Sequence, residues 1–193
     1  MNIIVVGLPK SGTTTIDKAL RNSGYITYHQ RGKTKFLADE IYDNLKLHND
    51  IFYSFESDNV ALTQLDYIDE GTGIWPQINY KFLRKISNLE NTKFILNYRN
   101  PQKIINSFEN YRNGKQRLFE ATVPHMPVLE NNEDFYKFIL SHFKKVRHIF
   151  KDKNFIEIDI EDPNAKIKLE KFLNTKLAWW GVANRTTKRK RKQ

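Results

Sequence analysis

The chain has 193 residues, 39% of them hydrophobic and 13% aromatic, enough for one folded domain with a substantial core. It has no cysteine, which excludes disulfides and cysteine-ligated zinc, and no apolar run near the ~20 residues that a membrane span needs. The formal net charge is +10. Six of the basic residues fall within Arg185–Gln193, and the +4 left for the rest favours an anionic ligand.

The apolar run at 2–7 predicts a first strand, followed by a helix over about 14–23 that Ser23-Gly24 ends. Tyr25 to Tyr28 alternates and predicts a short second strand, with His29 at its end. Phe36, Leu37, Ile41 and Leu45 share one face of a helix over 34–47. Residues 51–56 and 60–68 are apolar without a decisive period, and a strand is expected at 65–69. Gly71-Thr72-Gly73 predicts a turn, and Pro76 opens a helix through about Ser87. Lys93 to Tyr98 is the clearest central strand after the first. A helix over 101–112 follows, with Pro101 in its first turn. Residues 113–131 lack periodicity and contain Gly114, Pro124 and Pro127, which predicts a long loop suited to substrate contacts. A helix over 132–150, a strand at 155–158 and a helix over 164–174 complete the pattern. Strands alternating with helices predict a mostly parallel sheet covered on both faces. The expected division is one domain over 1–184 and a basic, disordered tail over 185–193.

The first strand runs into Gly7-Leu8-Pro9-Lys10-Ser11-Gly12-Thr13-Thr14-Thr15. Strand, glycine-framed turn and helix together offer backbone N–H groups and a positive helix end to a phosphate. Lys10 adds a point charge, and Ser11, Thr13, Thr14 and Thr15 add hydroxyl donors. Gly7 and Gly12 have the spacing of the ATP-binding loop G-x-x-x-x-G-K-[ST], but Thr13 stands in the lysine position. A second anion site is expected at Arg99-Asn100-Pro101, where an arginine leaves a strand and Ser107 follows two helical turns later.

These two segments resemble the sulfotransferases that use the sulfate donor PAPS. Pro9 to Thr14 is similar to their 5′-phosphosulfate loop. Arg99, Asn100, Pro101 and Ser107 match their 3′-phosphate segment in type and spacing. Gly24 to His29 and Trp75-Pro76 look like features of a branch of small sulfotransferase-like proteins, and Trp179 to Asn184 is similar to its C-terminal loop. Two features depart from the family. Thr15 stands where many members carry an adenine-stacking tryptophan, and no glycine-rich basic C-terminal loop is recognisable.

The resemblance implies a three-layer α/β P-loop nucleotide-binding fold with a mostly parallel central sheet flanked by helices. It implies transfer of a sulfuryl group from PAPS to a hydroxyl or amine, leaving adenosine 3′,5′-bisphosphate, without a metal. Pro9, Lys10, Ser11, Gly12, Thr13, Thr14, Thr15, Arg99 and Ser107 would bind the donor, and Lys10 would stabilise the leaving phosphate. His29 is the first candidate base, its other reading being a hydrogen-bonded structural histidine. His125 follows, then Glu40, Asp69 and Glu70, whereas His48, His142 and His148 read as structural. The acceptor would be a small molecule, a saccharide or a peptide. Nucleic-acid binding is not expected, although the tail leaves it open. The chain enters a strand within two residues, and no signal peptide or membrane anchor is expected, which implies a cytoplasmic protein. Two other classes compete: an ATP-dependent small-molecule kinase on the same fold, and a non-catalytic binding module that docks through its tail.

Overall fold

The computed structural model describes residues 1–55, 58–111 and 113–183, and the tail from Arg185 lies outside them. Five parallel strands form the central sheet: β1 (Asn2–Val5), β2 (Ile26–His29), β3 (Val60–Gln64), β6 (Thr92–Tyr98) and β7 (Phe155–Asp159). Their spatial order is β2-β3-β1-β6-β7, which puts β1 at the centre. Ile3 of β1 pairs with Ala61 of β3 and with Lys93 of β6.

β1 shows why a parallel strand reads as a continuous apolar run. Alternate side chains point to opposite faces, and here both faces are covered. Ile3 and Val5 pack with Ile16 and Leu20 of α1 (Thr13–Arg21) and with Leu169 and Leu173 of α7 (Ala165–Leu173). Ile4 and Val6 share the opposite core with Ile41 of α2 (Leu37–His48), Phe82 of α3 (Tyr80–Ile86) and Ile104 of α4 (Pro101–Glu109). Leu118 of α5 (Gly114–Glu120) and Phe143 of α6 (Asn132–Phe150) belong to this second core.

Two expectations need correction. The sheet strand in the ambiguous stretch is β3 at Val60–Gln64, and the expected strand at 65–69 lies outside the sheet. Residues Tyr67–Asp69 form β4, paired antiparallel with β5 (Thr72–Ile74) in a separate ribbon. Val60, Ala61, Leu62 and Thr63 are all buried, so the strand shows no alternation, and a short apolar run carries no period of its own. The expected loop at 113–131 contains α5. That helix is seven residues long and buries only Gly114 and Leu118, too little to mark a helical stripe.

Among the described residues, no helix is long and apolar enough to cross a membrane.

Candidate active site

The site gathers at the carboxyl edge of the sheet, where an open α/β sheet presents its ligand crevice. The loop leaving β1 is held from beneath. Ser11 is fully buried; its hydroxyl donates to Leu8 O and accepts from Asn97 Nδ2 of β6. Gly7 is required by close approach, since a Cβ there would lie 2.1 Å from Asn97 Oδ1. Gly12 caps α1 in the left-handed region at φ 100°, and a Cβ there would lie 2.5 Å from Ile160 Cδ1. Lys10 also has a left-handed backbone, at φ 65°.

Pro9, Lys10, Gly12, Thr13, Thr14 and Thr15 line a cavity of about 540 Å³, together with Arg99 and Ser107. The two sequence segments therefore face one space. Ser11 does not reach that space, because its hydroxyl is spent inside the loop. Arg99 is aimed by two contacts: Nη1 donates to Lys10 O at 3.1 Å, and Nε meets Glu161 Oε1 at 3.3 Å. Lys103 pairs with the same Glu161 at 2.6 Å. Asn100 Oδ1 accepts from Gln102 N at 2.9 Å, capping α4 and fixing the turn between Arg99 and Ser107. α1 carries no acid in its first turn, so its positive end is left for an anion.

A second cavity of about 270 Å³ adjoins the first, and Pro9, Lys10, Thr14, Gln64 and Tyr111 line both. Its other walls include His29, Asp66, Trp75, Phe108 and Arg117. His29 reaches it although β2 pairs with β3 rather than with β1, as both strands end at the same edge. His29 Nδ1 lies 3.0 Å from Thr63 Oγ1, and Nε2 lies 3.4 Å from Thr14 Oγ1. The reserve bases lie elsewhere. Glu40 accepts from Lys33 N and Ser54 Oγ under α2. His125, Asp69 and Glu70 are exposed and line neither cavity. His142 is fully buried in α6, which pushes its pKa down to about 3.

Three shifts set the electrostatics. Burial pulls the Lys10 ammonium down to about 8, against the attraction of Asp66. His29 is held below its usual value, chiefly by burial, so its ring is neutral at pH 7. Burial raises Asp66 to about 6, although Gln77 Nε2 donates to one carboxylate oxygen at 2.8 Å and Gln64 Nε2 to the other at 3.2 Å. Asp66 and Glu161 were not visible as site residues in the sequence. Asp66 and Glu161 each follow a sheet strand closely, but neither belongs to a spaced motif.

The sulfotransferase domain family matches residues 1–188. The chain belongs to the sulfotransferase family. The family uses PAPS as the sulfate donor, so the protein is a sulfotransferase of the PAPS-binding α/β fold. A comparison with curated proteins gives no match. The larger cavity suits such a donor. Its volume lies in the range of small-molecule sites, and it sets two cations from separate strand ends beside a helix N-terminus.

Proposed function

We propose that the protein transfers a sulfuryl group from PAPS to a hydroxyl or amine acceptor, with the donor in the larger cavity and the acceptor in the smaller. The observation that carries this reading is the position of Lys10, which lines both cavities where they meet. Residues 1–184 act as one catalytic domain, with the basic tail outside it. When bound, the donor supplies the sulfuryl group and a phosphate leaving group.

The residues divide the work. Arg99 and Ser107 hold the 3′-phosphate, Arg99 as a planar fork and Ser107 through its hydroxyl. Pro9 and Gly12 shape the loop around the phosphosulfate, and Thr13, Thr14 and Thr15 bring the first turn of α1 to it. Ser11 contributes from within the loop, by fixing its curvature. Lys10 meets the negative charge left on the bridging phosphate oxygen as the sulfur–oxygen bond breaks. A cation held ready where charge develops is often what lowers the barrier most. His29 takes the proton of the acceptor hydroxyl while that oxygen bonds to sulfur. Asp66 balances Lys10 and Arg117 in the acceptor cavity and sets the local field there.

A thermal-shift panel of adenosine 3′,5′-bisphosphate, PAPS, ATP and GTP, run with and without magnesium, tests the donor assignment. The first two should raise the melting temperature, and the nucleoside triphosphates should raise it less. Stabilisation by ATP with magnesium, and none by adenosine 3′,5′-bisphosphate, would refute it. Transfer from labelled PAPS across phenols, alcohols, amines, saccharides and tyrosine peptides then tests the acceptor side.

A further inference from the structure

His29 stands at the end of a buried hydrogen-bonded chain that no sequence motif announces. Thr63, in the middle of β3, is fully buried. Its Oγ1 lies 2.9 Å from Asp17 Oδ1 of α1, 3.2 Å from Tyr28 O and 3.0 Å from His29 Nδ1. Asp17 is 6% exposed and is held in turn by Arg21 Nη2 at 2.9 Å.

The donors and acceptors in this chain can be assigned by elimination. A carbonyl oxygen only accepts, and so does a carboxylate paired with an arginine. The single proton of the Thr63 hydroxyl therefore goes to Asp17 or to Tyr28 O. Thr63 Oγ1 is left as an acceptor towards the ring, so His29 Nδ1 carries the proton. In the neutral ring the lone pair is then on Nε2, which lies beside Thr14 on the wall shared by both cavities.

We propose that Asp17 and Thr63 are positioning residues that lock His29 as the Nδ1–H tautomer and present Nε2 to the acceptor's proton. The proposal rests on the reading of His29 as the base. In the transfer step the acceptor proton moves to Nε2 and the acceptor oxygen bonds to sulfur. The bond from sulfur to the bridging phosphate oxygen breaks, and its electron pair leaves with the phosphate. The imidazolium so formed faces the Asp17 carboxylate through Thr63, and its extra proton then passes to solvent. The other charged groups around it are Arg21 on α1 and, in the same cavity, Lys10, Asp66 and Arg117.

Nitrogen NMR of the full chain labelled at histidine reads the tautomer directly, with the His29 signals assigned by their loss in His29→Ala. Turnover is followed in parallel as adenosine 3′,5′-bisphosphate released from PAPS with water as the probe acceptor. The wild type should show the proton on Nδ1. Thr63→Val should mix the tautomers and lower turnover by about 10–100-fold, with affinity for adenosine 3′,5′-bisphosphate kept. Thr63→Ser, which retains the hydroxyl, should restore both signals. A wild-type proton on Nε2 overturns the proposal whatever the variants do, and so does Thr63→Val with tautomer and turnover unchanged. A changed tautomer with unchanged turnover supports the tautomer assignment and overturns His29 as the base.

Discussion

The two cavities that meet at Lys10 are built in different ways. The larger cavity, where we place the donor, is made from local chain geometry. A loop follows β1, Arg99 and the cap of α4 follow β6, and each lies within a few residues of a strand end. The smaller cavity, where we place the acceptor, is made from single side chains carried on separate segments: His29 from β2, Asp66 beyond β3, Trp75 beyond β5 and Arg117 from α5. Backbone N–H groups and fixed cations suit a ligand that does not change, whereas dispersed side chains can be altered one at a time.

The variants expected to break or sharpen this division run from large effects to small. Lys10→Ala acts on both cavities and should lower transfer from labelled PAPS by about 10²–10³-fold or more, with the fold intact by circular dichroism. Transfer like that of the wild type would refute the placement of Lys10 at the junction. His29→Ala belongs to the acceptor side alone. Turnover should drop by about 10²-fold, while calorimetry with adenosine 3′,5′-bisphosphate gives the wild-type affinity. Unchanged turnover would move the base to another group, with Asp66 the next to examine.

Arg99→Ala belongs to the donor side alone. Arg99 is 27% exposed at its side chain and already shares Glu161, so the loss in donor-product affinity should be about 2 kcal/mol. Equal affinity by calorimetry would sink the 3′-phosphate assignment. The smallest effect concerns pH. Burial pulls the free Lys10 ammonium down to about 8, so affinity for adenosine 3′,5′-bisphosphate should weaken as pH rises through that value and the cation is lost. Lys10→Arg keeps its charge throughout and should flatten the profile. A wild-type profile with no decline between pH 7 and 9 would contradict the buried ammonium.

The lining of the larger cavity was legible in the sequence because its residues are contiguous. Pro9 to Thr15 and Arg99 to Ser107 each place charge, cap and helix start at fixed offsets. Ser11 was legible as part of the loop, but its burial under Asn97 depends on the β1–β6 pairing, which spacing alone does not reveal. The acceptor half was barely legible. His29 is a titratable group at the end of a strand pattern, while nothing in the spacing separates Asp66 from Asp69 and Glu70. Only the packing of Gln77 and Gln64 around Asp66 shows which carboxylate faces the cavity. The sheet order was implied only in outline, because β3 has no period to announce it, yet the parallel α/β class followed from the alternation of strands and helices.

The most direct test of the division at Lys10 is an amide chemical-shift map of the full chain titrated with adenosine 3′,5′-bisphosphate. The largest changes are expected at Gly12, Thr13, Arg99, Ser107 and Ala183, and small ones at Trp75 and Arg117. Changes centred on Trp75, Asp66 and Arg117, with Ser107 and Ala183 unmoved, would contradict it.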